Sequence, residues 1–483
     1  MPKLGSIWLP AATVQRPARL CEVRGAIGET RSARPKEVSS NGLRTQDRHY
    51  KLAMMRRDMG GTRAILNRAQ PTIGWVLISR AEVAKAEGLL QGDGQGVVDE
   101  LGLLSIHQAI ADRFFPGTSV LHTRLRYALF VPWLMQLAAT DRNPLDKLKR
   151  LEYELTGLLI EGTRRTGGDA ALGIIGSMVY RRKKEAAQPP SYSYWSALSA
   201  WGILGRSYMR SVPSREAILA ELASQVRSSG TDIDGQAVAL EHAVFDGLPA
   251  PPKGFMEDPR GLTFALRPGE KRYLVRRLTA LKAPADVDVP PRESFLAALA
   301  RSPVQPLREV QFWDDADVCA CVPSEDKEVI PLARNVSALG GVARAVYLAL
   351  VEQASEKQGL DVGRMHRDHL ADCRTRWGAE AVRADLNQVV ALGLGLKRDK
   401  LFDLLSSTQA WLRGSGAMPE AELAKMYADV ERKRKTSRAR LVGTKGAAAQ
   451  LERWARFADR SSKAERLHFR WRQVGNLLRD IHE

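Results

Sequence analysis

The feature that most constrains this chain is an apolar periodicity of three to four residues, which runs from Asp99 to the C-terminus and is punctuated by glycine and proline. Ile106, Ile110 and Phe114 recur every four residues, and Pro116-Gly117 stops that helix. Val342, Val346 and Leu350 repeat the spacing ahead of Gly359. A further stripe, Val382, Leu386, Val389 and Val390, runs to Gly393 and Gly395. Asp399 is placed to cap a helix carrying Leu401, Leu404, Leu405 and Trp411. Pro419 suits a first helical turn, with Glu420 and Glu422 complementing the positive end of its dipole. Strand signals are short, at Val310-Gln311-Phe312 and at Val318 to Val322. The expected class is therefore mainly α, multi-helical, with a few short strands.

At 483 residues the chain exceeds one ordinary core, so two domains are expected. The proline-rich joint Pro284 to Pro291 is the best boundary, dividing an N-terminal helical domain, 71–290, from a C-terminal one, 291–483. Residues 1–70 are rich in Arg, Pro, Ser and Gly without sustained apolar period, which predicts a disordered extension. Met54, Met55 and Met59 precede the first buried-type run, Ile73 to Ile78, and suggest a translation start near Met59, with 1–58 not made in the cell. The most apolar stretch, Tyr127 to Thr140, spans 14 residues and contains Pro132. A bilayer needs about 20, so no membrane span is expected. Four scattered cysteines, Cys21, Cys319, Cys321 and Cys373, suit a reduced compartment, hence the cytoplasm.

The formal net charge of +18 is localised. Residues 1–70 hold 14 Lys or Arg against 5 acids, residues 431–483 hold 15 against 6, and the remainder carries 44 of each sign. Localised basic segments attract polyanions through phosphate pairing and counterion release. Two runs stand out as nucleic-acid-binding candidates. Arg181, Arg182, Lys183 and Lys184 precede Tyr192, Tyr194 and Trp195, aromatic residues suited to base stacking. A basic loop leading into the Trp195 to Leu204 segment, with its Gly202 stop, also fits a winged-helix-like element. The second run is Arg432, Lys433, Arg434 and Lys435 with Arg438 and Arg440, suited to phosphates and blind to sequence. A solvated surface is the plain alternative for both.

Catalytic signatures are incomplete. His366, His369 and Cys373 share one helical face and could reach one divalent ion, although no fourth ligand is evident and the spacing matches no zinc signature. Cys319 and Cys321 would point the same way along a strand, where core packing explains them. Glu325-Asp326-Lys327, after Asp314, Asp315 and Asp317, has the order of groups used by metal-dependent nucleases, but Pro323-Ser324 places it in a loop. No phosphate loop, dinucleotide fingerprint or serine-hydrolase elbow occurs. Leu467, Trp471, Val474, Leu478 and Ile481 form a seam at spacings of 4, 3, 4 and 3, to be buried on the chain's own domain or on a protein partner.

An ordered set of short motifs, Trp75 to Ser79, Asp99-Glu100-Leu101-Gly102, Phe115-Pro116-Gly117-Thr118-Ser119, Thr123-Arg124-Leu125-Arg126-Tyr127 and Pro132-Trp133, is followed by Pro190-Ser191, Tyr194-Trp195 and Trp201-Gly202. In these the chain resembles a bacterial family catalogued only as a domain of unknown function, from about residue 73 onward. The resemblance implies a bacterial protein, not a transit peptide at the N-terminus, and an association with helicase- and nuclease-type defence genes. Read from the residues, Asp99 and Glu100 can cap a helix or pair with Arg124 or Arg126, while Tyr127 shares a helical face with Arg124. A buried Arg–carboxylate network and a phosphate site are both open.

The functional expectation is a non-enzymatic nucleic-acid-binding or accessory subunit, in the context the resemblance implies a defence or DNA-processing complex. A metal-dependent hydrolase and a protein-interaction scaffold are the alternatives. No cofactor beyond a divalent metal is suggested.

Overall fold

The computed structural model describes residues 99–483 apart from 168–172, 206–212, 229–242, 259, 284–290, 444 and 459–460, all within one compact unit, Gln70–Glu483. The N-terminal extension, the run at Trp75, the adjacent methionines and the Pro284–Pro290 part of the joint lie outside the described residues. Helices dominate, as the periodicity predicts. The first group is α1 (Leu103–Phe114), α2 (Tyr127–Ala138), α3 (Pro144–Arg165), α4 (Ser177–Tyr180), α5 (Pro190–Ser193), α6 (Trp195–Ala200) and α7 (Arg215–Ser228). Next come α8 (Pro268–Thr279), α9 (Phe295–Arg301), α10 (Ala316–Ala320) and α11 (Val329–Lys357). The remainder is α12 (Met365–Val382), α13 (Leu386–Ala391), α14 (Lys400–Arg413), α15 (Ala421–Lys435), α16 (Lys445–Ala455) and α17 (Trp471–His482). Among the described residues, β pairing is confined to two isolated antiparallel bridges, Leu204 with Phe245 and Lys282 with Glu293.

Neither expected strand forms. Asp315 accepts a hydrogen bond from Val318 N–H and so opens α10 across the valine-rich run. That local cap outweighs β-branched propensity, and Cys319 and Cys321 therefore do not share a strand face. The stripe from Val382 to Val390 is two helices, because the Asp385 carboxylate accepts from Asn387 and Gln388 N–H and starts α13 afresh. Asp399 caps α14 as its position predicts, accepting from Leu401 and Phe402 N–H. Pro419 precedes the cap of α15, which is Glu420, so the proline stands outside the first turn.

The core is contiguous on both sides of the proline joint. Phe114 and Phe115 of the α1 end meet Phe295 of α9, Phe312 and Trp471 of α17, with ring centroids 5.5 to 6.1 Å apart. Burial of such rings is the main favourable term in a fold of this kind. The longest helix, α11, is buried along most of its length and packs extensively on α12. Its Gly340 and Gly341 leave room for the segment before α17: a Cβ on Gly340 would sit 2.7 Å from the Leu467 side chain.

The final seam docks on the chain's own core, with Trp471, Val474, Leu478 and Ile481 all buried. Leu467, however, lies before the helix. Phe469 and Arg470 both take positive φ, and Arg470 donates to Asp112 at 2.6 Å and to Thr118 O at 2.8 Å. Those contacts hold a backbone turn that ends the heptad spacing one step early.

Helix α3 touches neighbouring backbone at Gly162, where an added Cβ would fall 2.0 Å from the Leu262 carbonyl oxygen. Ala for Gly inside a helix ordinarily stabilises by about 1 kcal/mol. Here Gly162→Ala is expected to destabilise by about 1–3 kcal/mol through overpacking, read from the urea midpoint. A midpoint unchanged or raised would refute this close approach.

Candidate nucleic-acid interface

Helix α3 presents Lys149, Tyr153, Ile160 and Arg164 at spacings of 4, 7 and 4, one continuous helical face. Short helix α4 packs beside it. The Tyr153 and Tyr180 rings lie 4.6 Å apart at 35°, and the Tyr180 hydroxyl sits over Gly157, where a Cβ would be 2.4 Å away. Both tyrosines are half-buried. A groove of about 570 Å³ runs between Tyr153, Ile160, Arg164, Gly167, Tyr180, Arg181 and Lys183.

The chain leaves α4 through a tight turn in which Arg182 and Lys184 N–H both donate to Val179 O. Lys183 takes φ 53, the left-handed region usually left to glycine or asparagine. All four of Arg181, Arg182, Lys183 and Lys184 are exposed, and none makes an ion pair or side-chain hydrogen bond with a described residue. Nearby cations are held weakly: Lys149 faces Asp146 at 3.4 Å in an exposed pair, and the exposed Arg164 faces a half-buried Glu161 at 3.0 Å. Exposed pairs of this kind contribute about 0–1 kcal/mol and yield readily to a phosphate.

Beneath the turn, Glu152 of α3 accepts from Ser191 N–H at 2.7 Å and fixes the chain after the Pro189-Pro190 corner. Burial raises its carboxyl to about 7, against the hydrogen bonds from Ser191.

The second basic run is disposed differently. Lys435 is buried and donates to Glu100 at 3.0 Å, Arg440 lies 3.6 Å from the same carboxylate, and Arg434 pairs with Asp99 at 3.1 Å. Arg432 pairs with Asp429 within α15, leaving Lys433 and Arg438 exposed and unpaired among the described residues. Glu431 accepts from Tyr347 Oη at 2.6 Å and from Arg440 and Leu441 N–H, so the run folds back on itself.

This arrangement explains the motif residues. Asp99 accepts from Gly102 and Leu104 N–H and so caps α1, while Gly102 takes φ 97 directly beneath the Arg434 guanidinium. Burial opposes ionisation of Glu100, but Lys435, Arg440 and Arg344 outweigh it and hold the carboxyl below its usual range. Arg124 pairs with Asp480 at 2.7 Å and Glu483 at 3.1 Å, and Arg126 with Glu270 at 2.8 Å. Neither meets Asp99 or Glu100. The Tyr127 hydroxyl accepts from Ile175 N–H. These five residues form internal framework.

Of the aromatic candidates, Tyr194 and Trp195 are buried, Tyr194 donating to Arg124 O, and Tyr192 lies under the Arg215 guanidinium. Helix α6 has six residues and buries Trp195, Ala197 and Leu198. Tyr153 and Tyr180, which the sequence reading passed over, take the accessible positions. The 4, 7, 4 spacing across α3 was the signal that could have found Tyr153, whereas Tyr180 comes from α4.

The metal candidates are engaged internally. His366 meets Ser461 Oγ at 2.7 Å, His369 meets Ala464 O at 2.8 Å, and Cys373 is buried 3.3 Å from His369. Among the described residues, no group of three or more His, Cys, Asp or Glu is placed to hold an ion. Asp326 is buried against Arg113 and Arg292, and Asp314 pairs with Arg334, so the acidic series does not converge. No helix described is long and apolar enough to cross a membrane.

Residues 72–294 match the model of a family described as a family of unknown function, DUF6361. The Arg181–Lys184 turn and the α3 face lie inside that span, and Arg432 to Arg440 outside it. No curated protein and no solved structure matches the chain.

The raised Glu152 carboxyl gives a signed expectation. Its folded value, about 7, exceeds the ordinary 4.5, so the native state holds this proton more tightly. The contribution is fully present below the unfolded value and is lost as pH rises through about 4.5 to 7, on the order of 3 kcal/mol. Glu152→Gln keeps the acceptor for Ser191, and its stability relative to wild type should rise across that window in urea unfolding at stepped pH. A pH-independent difference would contradict the assignment.

Proposed function

We propose that the chain is a non-enzymatic nucleic-acid-binding protein that grips the sugar–phosphate backbone with the Arg181–Lys184 turn. The observation that carries this reading is the state of those four cations. They are consecutive, exposed and without acidic partners among the described residues, in a protein where the other basic cluster largely serves internal pairs. Phosphate contacts orient the strand, and the Tyr153–Tyr180 pair offers a surface on which a base can stack. An accessory role in a DNA-processing or defence complex is the cellular setting consistent with such a module. The basic turn would supply affinity and on-rate, leaving sequence selection to a partner.

Fluorescence anisotropy with labelled single-stranded and duplex oligonucleotides tests this between 50 and 200 mM salt. Neutralising the turn, Arg181→Ala, Arg182→Ala, Lys183→Ala and Lys184→Ala together, should weaken binding at least about tenfold. It should also flatten the log–log salt slope by about 2–4, as removal of up to four phosphate contacts requires. The variant should fold normally, since nothing in the core rests on these side chains. Absent or salt-insensitive binding by the wild type, or an unchanged slope in the variant, would reject the reading.

A further inference from the structure

A separate cleft of about 270 Å³, sharing no residue with the tyrosine groove, opens where the start of α1, the middle of α11 and the 462–468 segment converge. That volume is near the lower end of small-molecule sites. Its charged lining is nearly all accounted for by internal pairs. Asp99 and Glu100 are matched by Arg434, Lys435 and Arg440, Arg466 by Glu380, and Glu465 by Arg472. Arg344 of α11 and Lys463 also line the cleft, and neither makes a direct ion pair or side-chain hydrogen bond with a described residue, although Arg344 acts at longer range on Glu100.

The cleft floor supplies a second, independent observation. His107 of α1 is 6% exposed, lines the cleft, and its Nε2 has no hydrogen-bond partner among the described residues. A buried ring nitrogen left unsatisfied costs about 1–3 kcal/mol, which a ligand atom can recover. The His468 ring meets His107 edge-on at 5.0 Å, and Leu103, Leu104 and Leu467 extend the apolar wall. Burial holds both imidazoles neutral, His107 well below its ordinary range and His468 at about 4, with Arg470 adding to the effect. The wall therefore offers flat, uncharged rings beside two cations that make no direct ion pair with a described residue.

We infer that this cleft binds a nucleoside monophosphate, its phosphate held by Arg344 and Lys463 and its base against the His107–His468 wall, with His107 Nε2 hydrogen-bonded to the base. An arginine fork fits phosphate oxygens in two parallel contacts, while a lysine on the rim supplies a mobile point charge. Inorganic phosphate satisfies only the cations, and a nucleoside only the wall. The monophosphate satisfies both, so its affinity should exceed either part.

Calorimetric titration of the full chain with adenosine 5′-monophosphate, adenosine and inorganic phosphate is the test. The monophosphate should bind at least tenfold more tightly than either fragment. Arg344→Gln should weaken it about tenfold or more and Lys463→Gln severalfold. Lys463 is exposed, so its variant remains informative if the Arg344 change disturbs the Glu100 cluster. His107→Phe should reduce monophosphate affinity while leaving inorganic phosphate unaffected. The four-alanine variant of the 181–184 turn should bind the monophosphate as wild type does, which separates this inference from the proposed nucleic-acid interface. A 5′-phosphorylated pentanucleotide that competes identifies a strand end as the source, and one that does not identifies the free nucleotide. No binding at millimolar monophosphate, phosphate alone binding equally well, or full affinity in Lys463→Gln would overturn it.

Discussion

Buried arginine–carboxylate and lysine–carboxylate pairs tie residues 99–126 to segments far along the chain, and the rest of the architecture depends on them. Glu100 reaches Lys435, Arg113 reaches Asp326, Arg124 reaches Asp480, Arg126 reaches Glu270, and Asp112 receives Arg470. The aromatic cluster at the α1 end adds favourable burial to a large apolar core, but apolar contact is tolerant of small rotations. The ion pairs are not. Desolvating such a pair is costly, and removing one partner leaves a buried charge that typically costs about 3–5 kcal/mol. They therefore specify one way of docking the C-terminal helices on the N-terminal segment.

The same constraint divides the basic residues into two populations. In the 432–440 run, charges that read as a phosphate patch are drawn inward by Asp99, Glu100 and Glu431. In the 181–184 turn no acid among the described residues is in position to do this, and the cations face solvent. Net charge alone does not separate the cases, since the C-terminal 53 residues carry an excess of 9 while the turn sits in a span that is neutral overall. What distinguishes them is the availability of a buried carboxylate across the fold.

Helix type and several boundaries were legible because they are local. The caps at Asp99 and Asp399, the stop at Pro116-Gly117 and the seam of α17 each depend on residues within a few positions. The false strand at Val318 to Val322 failed because a single capping aspartate decided a short segment against its propensity. The heptad reading overran to Leu467 because the turn at Phe469 and Arg470 is held by Asp112, 358 residues away. Partners of Arg124 and Arg126 were unreadable for the same reason. The Tyr153–Tyr180 pair was legible in principle, since α3 places Lys149, Tyr153, Ile160 and Arg164 on one face, but only with the knowledge that α4 packs there.

We propose that nucleic acid meets the α3 face and the Arg181–Lys184 turn, while Lys435 and Arg440 of the 432–440 run are engaged by Glu100. Photo-crosslinking of a uniformly labelled oligonucleotide to the intact chain, followed by peptide mapping, addresses it most directly. Adducts are expected on the peptides carrying Tyr153, Tyr180 and Arg181 to Lys184. Adducts confined to the 432–440 peptide, with none near Tyr153 or Tyr180, would contradict it.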